Sequence, residues 1–225
     1  MPRVLLLDYS TDRTEGPLTA RWLPQGTPLV TWAQLDGGPL PPLGGVSHVI
    51  HTGSAHSIND DPPFVAGAMA LVREAVARGI PQLGICYGHQ LLCRALGGRA
   101  AVRRCPTGLQ AGFLPARFSA EGQAVFGVAP EAVVWQYHFD EVVALPSGAA
   151  ILAADDHSAV QAFEEPNRRL LGTQFHPEVD AVAGRRIFRA EARELAGHGL
   201  DAEKLAQGGP TELDCGALFA RWLTR

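Results

Sequence analysis

The sequence predicts an α/β fold, a three-layer α/β/α arrangement in which an open, mostly parallel sheet carries a small antiparallel extension. Three observations lead there. Short runs with apolar centres, Val4 to Asp8, Ser47 to His51 and Pro81 to Cys86, are continuous rather than alternating, as strands covered on both faces must be. Between the second and third of these lies a segment of helical spacing, Phe64 to Arg78, with Val65, Met69, Val72 and Val76 along one stripe. From Ala100 to Ala162 the pattern changes to shorter β-like runs divided by Pro, Gly and acidic turns, which is how antiparallel strands read.

Taken in order, the first strand is Val4 to Asp8, because Asp8 ends the apolar run before a signal-peptide core could form. Thr11 to Pro42 is rich in Pro, Gly and Thr and is expected to hold a poorly patterned helix and a second strand around Pro28 to Trp32. Ser47 to His51 is the next strand, and Asp60-Asp61 before Pro62-Pro63 reads as the entrance to the helix Phe64 to Arg78. Gly79 stops that helix. The strand Pro81 to Cys86 follows, then a helix from Gly88 to Leu96 ended by Gly97-Gly98. Gly112 to Phe118, Val133 to Tyr137 and Ala150 to Ala153 form the extension, with Asp155-Asp156 as a solvated turn. Arg169 to Gln174 is a last core strand that delivers His176, and Ala181 to Leu195 is a helix with apolar Val182, Ile187, Phe188 and Leu195. Gly208-Gly209-Pro210 breaks the chain before a terminal amphipathic helix, Gly216 to Leu223. With 225 residues, 46% of them apolar, one domain spanning residues 1–225 is the simplest organisation.

Composition removes several function classes. Net charge is −4 with no basic run or basic face, so no nucleic-acid partner is expected. No apolar stretch reaches membrane-spanning length, so no membrane association is expected either. Four cysteines, at 86, 93, 105 and 215, lack C-x-x-C spacing, and His48, His51 and His56 do not supply a converging ligand set, so no metal is expected. Neither a G-x-x-x-x-G-K-[ST] loop nor another nucleotide motif occurs, and no cofactor is expected. The absence of an export signal and the need for a free thiol at Cys86 predict a cytoplasmic location. Cys93, Cys105 and Cys215 read as inert.

The chemistry resides in Gly84-Ile85-Cys86-Tyr87-Gly88-His89-Gln90 and in His176-Pro177-Glu178. A lone cysteine after a strand is usually a small buried hydrophobe. Here it stands between a buried strand and a helix start, flanked by glycines that permit a tight corner, which makes Cys86 a nucleophile on an elbow. An ordinary thiol has a pKa of about 8.5 and is only a few per cent ionised at neutral pH, so a base must stand beside it. His176 is expected to be that base and Glu178 to orient it from the other ring nitrogen. Attack on an amide creates an oxyanion that needs two donors. One is expected from the backbone N–H of Tyr87, the other from Gly53 or Ser54 in the turn Thr52-Gly53-Ser54.

These two motifs resemble those of class I glutamine amidotransferases, whose elbow reads G-x-C-x-G-x-Q and whose base segment reads H-P-E. Thr52 to Ser57 is similar to the family's oxyanion loop and Leu96-Gly97-Gly98 to its helix ending. The resemblance implies a flavodoxin-like sheet and a Cys86-His176-Glu178 triad that releases ammonia from glutamine through a thioester. It implies that Gln90 helps hold the amino-acid end of the substrate. Tyr137-His138-Phe139-Asp140 resembles the family's S-H-G-D segment, so Tyr137 and His138 are expected at the substrate, by backbone atoms in particular. Tyr137 replaces Ser and Phe139 replaces Gly there, implying a narrower, more apolar mouth. The implied partners are glutamine or another γ-glutamyl compound and a separate synthase polypeptide, since the chain carries no second domain. Two other readings compete: a free-standing γ-glutamyl peptide hydrolase, and a regulatory or binding subunit that has lost activity.

Overall fold

A computed structural model describes residues 2–224. Strand β1 (Val4–Asp8) is buried along its whole length, and its side chains alternate between two cores. Leu5 and Leu7 join one cluster with Val49, Val72, Leu91 and Leu92. Val4 and Leu6 join another with Ile50, Leu83, Phe175 and Phe219. A strand that feeds cores on both faces must lie in the middle of three layers.

Helix α1 (Glu15–Ala20) and strand β2 (Leu29–Ala33) come next, followed by β3 (His48–His51), helix α2 (Val65–Ala77), β4 (Gln82–Ile85) and helix α3 (Tyr87–Gly97). The elements β5 (Val102–Arg104), β6 (Gln110–Phe118), α4 (Ala120–Phe126), β7 (Glu131–His138), β8 (Asp140–Val142), β9 (Ala150–Ala154), β10 (Ala162–Glu165) and β11 (Leu170–Thr173) follow. Helices α5 (Ala181–Ala190), α6 (Ala192–Gly197), α7 (Ala202–Ala206) and α8 (Cys215–Trp222) complete the chain. Nine strands form one sheet in the order β2-β1-β3-β4-β11-β10-β9-β6-β7, and β5 pairs with β8 in a separate ribbon. Pairing is parallel from β2 to β11 and antiparallel from β11 onward to β7. Helices α2 and α3 cover one face, while α4 and α8 cover the other through Phe126, Leu218, Phe219 and Trp222. The helices α5 to α7 enclose a third core around Trp135, Phe188 and Leu195.

Several local expectations need correction. The helix expected over residues 181–195 is broken: Glu191 takes φ −90°, ψ 17°, so α5 stops and α6 restarts while Phe188 and Leu195 both stay buried. Helix α4 was not foreseen because seven residues are too few for a periodic signal; Ser119 caps it and Gly127, at φ 70°, ends it. Strand β10 was not separated from its surroundings. Asp61 is no helix entrance: it stands at φ 51° and pairs with Arg94 and Arg99. Asp155 is not merely a solvated turn, since its carboxylate accepts from the backbone N–H groups of His157 and Ser158 and from the amides of Gln110 and Gln161. No helix among the described residues is long and apolar enough to cross a membrane.

Candidate active site

The corner between β4 and α3 is strained at a single residue. Cys86 has φ 51° and ψ −101°, a conformation that costs a non-glycine residue about 1–3 kcal/mol and persists only where its surroundings enforce it. Its N–H donates to the carbonyl of Thr173 on β11 at 2.7 Å, and its carbonyl accepts from Gln90 N–H at 3.1 Å. The glycines make the corner possible by what they lack. A Cβ on Gly84 would lie 2.5 Å from the carbonyl oxygen of Gly88, and one on Gly88 would lie 2.2 Å from that of His51. Backbone at those distances cannot yield, so neither position accepts any other residue.

Strand β11 runs on to Phe175 and His176. The imidazole Nδ1 sits 2.7 Å from Oε1 of Glu178, and the His176 backbone N–H is held by the carbonyl of Trp135 at 3.0 Å. Trp135 also meets the imidazole edge to face, with ring centres 5.0 Å apart. Burial pushes the imidazole pKa down, but the Glu178 carboxylate and then the Cys86 thiol outweigh it, and the net result is a pKa well above the ordinary value. The Nε2 atom is buried with no hydrogen-bond partner on the side away from Glu178. Around the thiol, Sγ lies 3.9 Å from the carbonyl oxygen of Tyr137 and 3.7 Å from Nε2 of Gln174. Cys86, His176 and Glu178 are 6%, 4% and 0% exposed, and the Cys86 side chain is one of the groups that raise the imidazole pKa, so the three side chains share one buried setting.

The turn after β3 reaches the same place. A Cβ on Gly53 would stand 3.0 Å from Cε1 of His176, so Gly53 lies directly against the imidazole. Ser54 is one residue further out, its hydroxyl accepting from His56 N–H at 3.1 Å. Tyr87 occupies the first position of α3, where a backbone N–H has no acceptor within the helix. Its ring packs on Tyr9 and Phe64 below the sheet's end.

Gln90 is buried, and its amide donates to the carbonyl of Asp140 at 3.1 Å and to Oε1 of Gln174 at 3.2 Å. His138 is also buried, with Nδ1 3.0 Å from the carbonyl of Asp140 and Nε2 2.8 Å from Oε1 of Gln110. Burial lowers its pKa to about 3. Tyr137 presents its carbonyl to the thiol while its ring stacks on Trp135. His89 is fully buried between Phe163 and Gly172. Reading the sequence missed Trp135, Gln174 and Glu15. Glu15 lies in the poorly patterned stretch, and nothing local marks it, yet its Oε2 is 3.8 Å from His176 Nδ1.

This arrangement coincides with a family pattern: the model for glutamine amidotransferase class-I matches residues 45–194. The chain belongs to the class I glutamine amidotransferases. Within that match lie the elbow, the turn at Gly53, the segment 137–140 and His176 to Glu178. The amidotransferase is 39% identical over 155 residues to a glutamine-hydrolyzing GMP synthase of Symbiobacterium thermophilum, covering 68% of this chain and 29% of that protein. It is 38% identical over 99 residues to one subunit of the glutamine-hydrolyzing GMP synthase of Sulfurisphaera tokodaii, covering 44% of this chain and 51% of that one. The amidotransferase therefore matches less than two thirds of the length of either relative. Among solved structures, a glutamine amidotransferase of Thermotoga maritima superposes with TM-score 0.78 at 23% identity, covering 99% of this chain and 94% of that chain. That likeness extends the shared fold beyond the matched segment to nearly the whole amidotransferase.

Proposed function

We propose that this amidotransferase hydrolyses the γ-amide of glutamine through a thioester on Cys86 and releases ammonia. The single observation that carries the reading is the convergence of the strained Cys86 with the His176–Glu178 pair in a chain of this family. His176 Nε2 takes the thiol proton as sulfur attacks the amide carbon. Backbone N–H groups of Tyr87 and of Gly53 or Ser54 hold the oxyanion. The imidazolium then gives its proton to the departing nitrogen, which leaves as ammonia. Water, deprotonated by His176, cleaves the thioester; the proton returns to sulfur and glutamate departs. Glu178 keeps the imidazole in the tautomer that leaves Nε2 free and stabilises its charged form. Gln90, Tyr137 and His138 border the substrate, Gln90 by fixing the Asp140 carbonyl.

The Sulfurisphaera relative is named as one of the subunits of its synthase, which supports a separate synthase polypeptide as the consumer of the ammonia here. A second reading, hydrolysis of larger γ-glutamyl compounds, uses the same nucleophile and base; the arginines of the cleft of about 650 Å³ beside Asp140 do not argue for it, since Arg99, Arg103 and Arg104 pair with Asp61, Glu141 and Asp140. The deciding assay measures glutamate release from glutamine and from γ-glutamyl dipeptides by wild-type and Cys86→Ala protein. Turnover of glutamine that Cys86→Ala abolishes supports the amidotransferase reading; turnover of the dipeptides alone supports the second. No turnover of either would leave the chain a regulatory or binding component.

A further inference from the structure

Two carboxyl groups crowd one side of the imidazole where a triad needs only one. Glu15, His176 and Glu178 each offer a ligand atom within 4.8 Å of the others. Glu15 Oε2 and Glu178 Oε2 are both buried and both lack a hydrogen-bond partner. An ionised carboxylate only accepts, so two ionised groups here would leave both orphan oxygens unsatisfied and repelling each other. One proton between them removes both penalties.

We propose that Glu15 is a positioning residue of this site, which stays protonated and donates a hydrogen bond to Oε2 of Glu178. The inference rests on the catalytic reading of His176 and Glu178 given above. Glu178 then has both oxygens engaged, Oε1 by His176 and Oε2 by Glu15, and it cannot rotate away from the imidazole. The net charge of the carboxyl pair is −1 rather than −2, so the imidazole is acidified enough to return its proton to the leaving nitrogen. Contacts on all sides agree with this role. A Cβ on Gly53 would lie 3.2 Å from the Glu15 carboxyl carbon, so the same group buttresses the turn that carries a proposed oxyanion donor. Asp8, at the end of β1, is the other acidic group facing it, and Ser10 holds Asp8 by two hydrogen bonds. Burial, opposed by His176 and assisted by Glu178 and Asp8, raises the Glu15 carboxyl to about 8.

Difference infrared spectra of wild-type and Glu15→Gln protein across the pH range test the assignment without substrate. A protonated-carboxyl stretch present in mild acid, lost near pH 8 and absent from Glu15→Gln is expected. Its absence from the wild type would overturn the proposal, as would a band equally strong in the variant. Glutamate release supplies the second readout. Glu15→Ala is expected to lower kcat by about 10- to 100-fold, the loss typical of a hydrogen bond to a charged group, and Glu15→Gln, which can still donate, to recover most of it near neutrality. Glu15→Gln should also lose any inflection near pH 8 in the kcat profile. Equal losses in both variants with an unchanged profile would make Glu15 structural only, and a signal that changes on adding a chelator would mean that the orphan oxygens share a cation instead. If no protein releases glutamate, the catalytic reading fails while the infrared experiment still decides where the proton is.

Discussion

Gly84 and Gly88 act by exclusion, and their substitution should be more damaging than any change to a polar residue at the site. Gly88→Ala places a methyl group 2.2 Å from a backbone oxygen of β3, so the elbow must open. The expected outcome is a protein destabilised by several kcal/mol, about 3 or more, measured by urea denaturation. Gly53→Ala is a milder probe: its methyl group meets the edge of His176 at 3.0 Å, and a displaced imidazole should cost about 10- to 100-fold in kcat with folding stability nearly unchanged. Glu178→Gln keeps the shape but removes the charge that raises the imidazole pKa. A fall in kcat of about 10²–10⁴-fold is expected from steady-state kinetics. Glu15 has its own pH signature in stability. Its folded-state pKa is raised to about 8, so between its ordinary range and that value the folded chain holds a proton that the unfolded chain has released. Stability from this group therefore falls as pH rises through that window, and Glu15→Gln should flatten the fall in denaturation curves.

Among the elements, β7 contributes most to the site without supplying a member of the proposed triad. From one strand, the carbonyl of Trp135 anchors His176, the carbonyl of Tyr137 faces the thiol and His138 leads into the polar network ending at Asp155. Asp155→Ala would strand the amides of Gln110 and Gln161 in the interior, and a loss of about 2–4 kcal/mol is expected in chemical denaturation. Elements such as β1, β4 and α2 were legible because burial on both faces, or along one stripe, repeats over enough residues to be seen. The elbow and His176-Pro177-Glu178 were legible because their residues are close in sequence. Helix α1 was legible only as a poorly patterned helix without bounds, since Gly16 and Pro17 lie within its six residues and no side chain caps it. It is held from outside instead, by Trp22 Nε1 and Arg21 donating to the carbonyl of Glu178. Contacts of that span leave no local pattern, and for the same reason Glu15 and Trp135 could be found only in three dimensions.

For the whole molecule, the parallel half of the sheet depends on α8 for its second cover. Trp222 is buried against His48 and the cluster around Phe175 and Phe219, so Trp222→Ala should destabilise by about 3–5 kcal/mol, read from the denaturation midpoint. Acid stability follows from three histidines buried in different parts of the fold. Burial lowers the pKa of His51 to about 4 and those of His89 and His138 to about 3, well below the ordinary value of about 6.5. The unfolded chain binds protons in that interval which the folded chain refuses, so stability should drop as pH falls from about 6.5 towards 4. The sheet order has a further consequence. The thiol and the imidazole are carried on neighbouring strands of the sheet, but the chain passes through the entire antiparallel wing between them, including an exposed stretch at Ser147 and Gly148. A cut there would divide the protein into a piece that owns Cys86 and a piece that owns His176, its proposed base. Each half alone should be inert, and glutamate release on mixing would count the halves that had found each other, which makes the fold a natural two-part reporter of its own assembly.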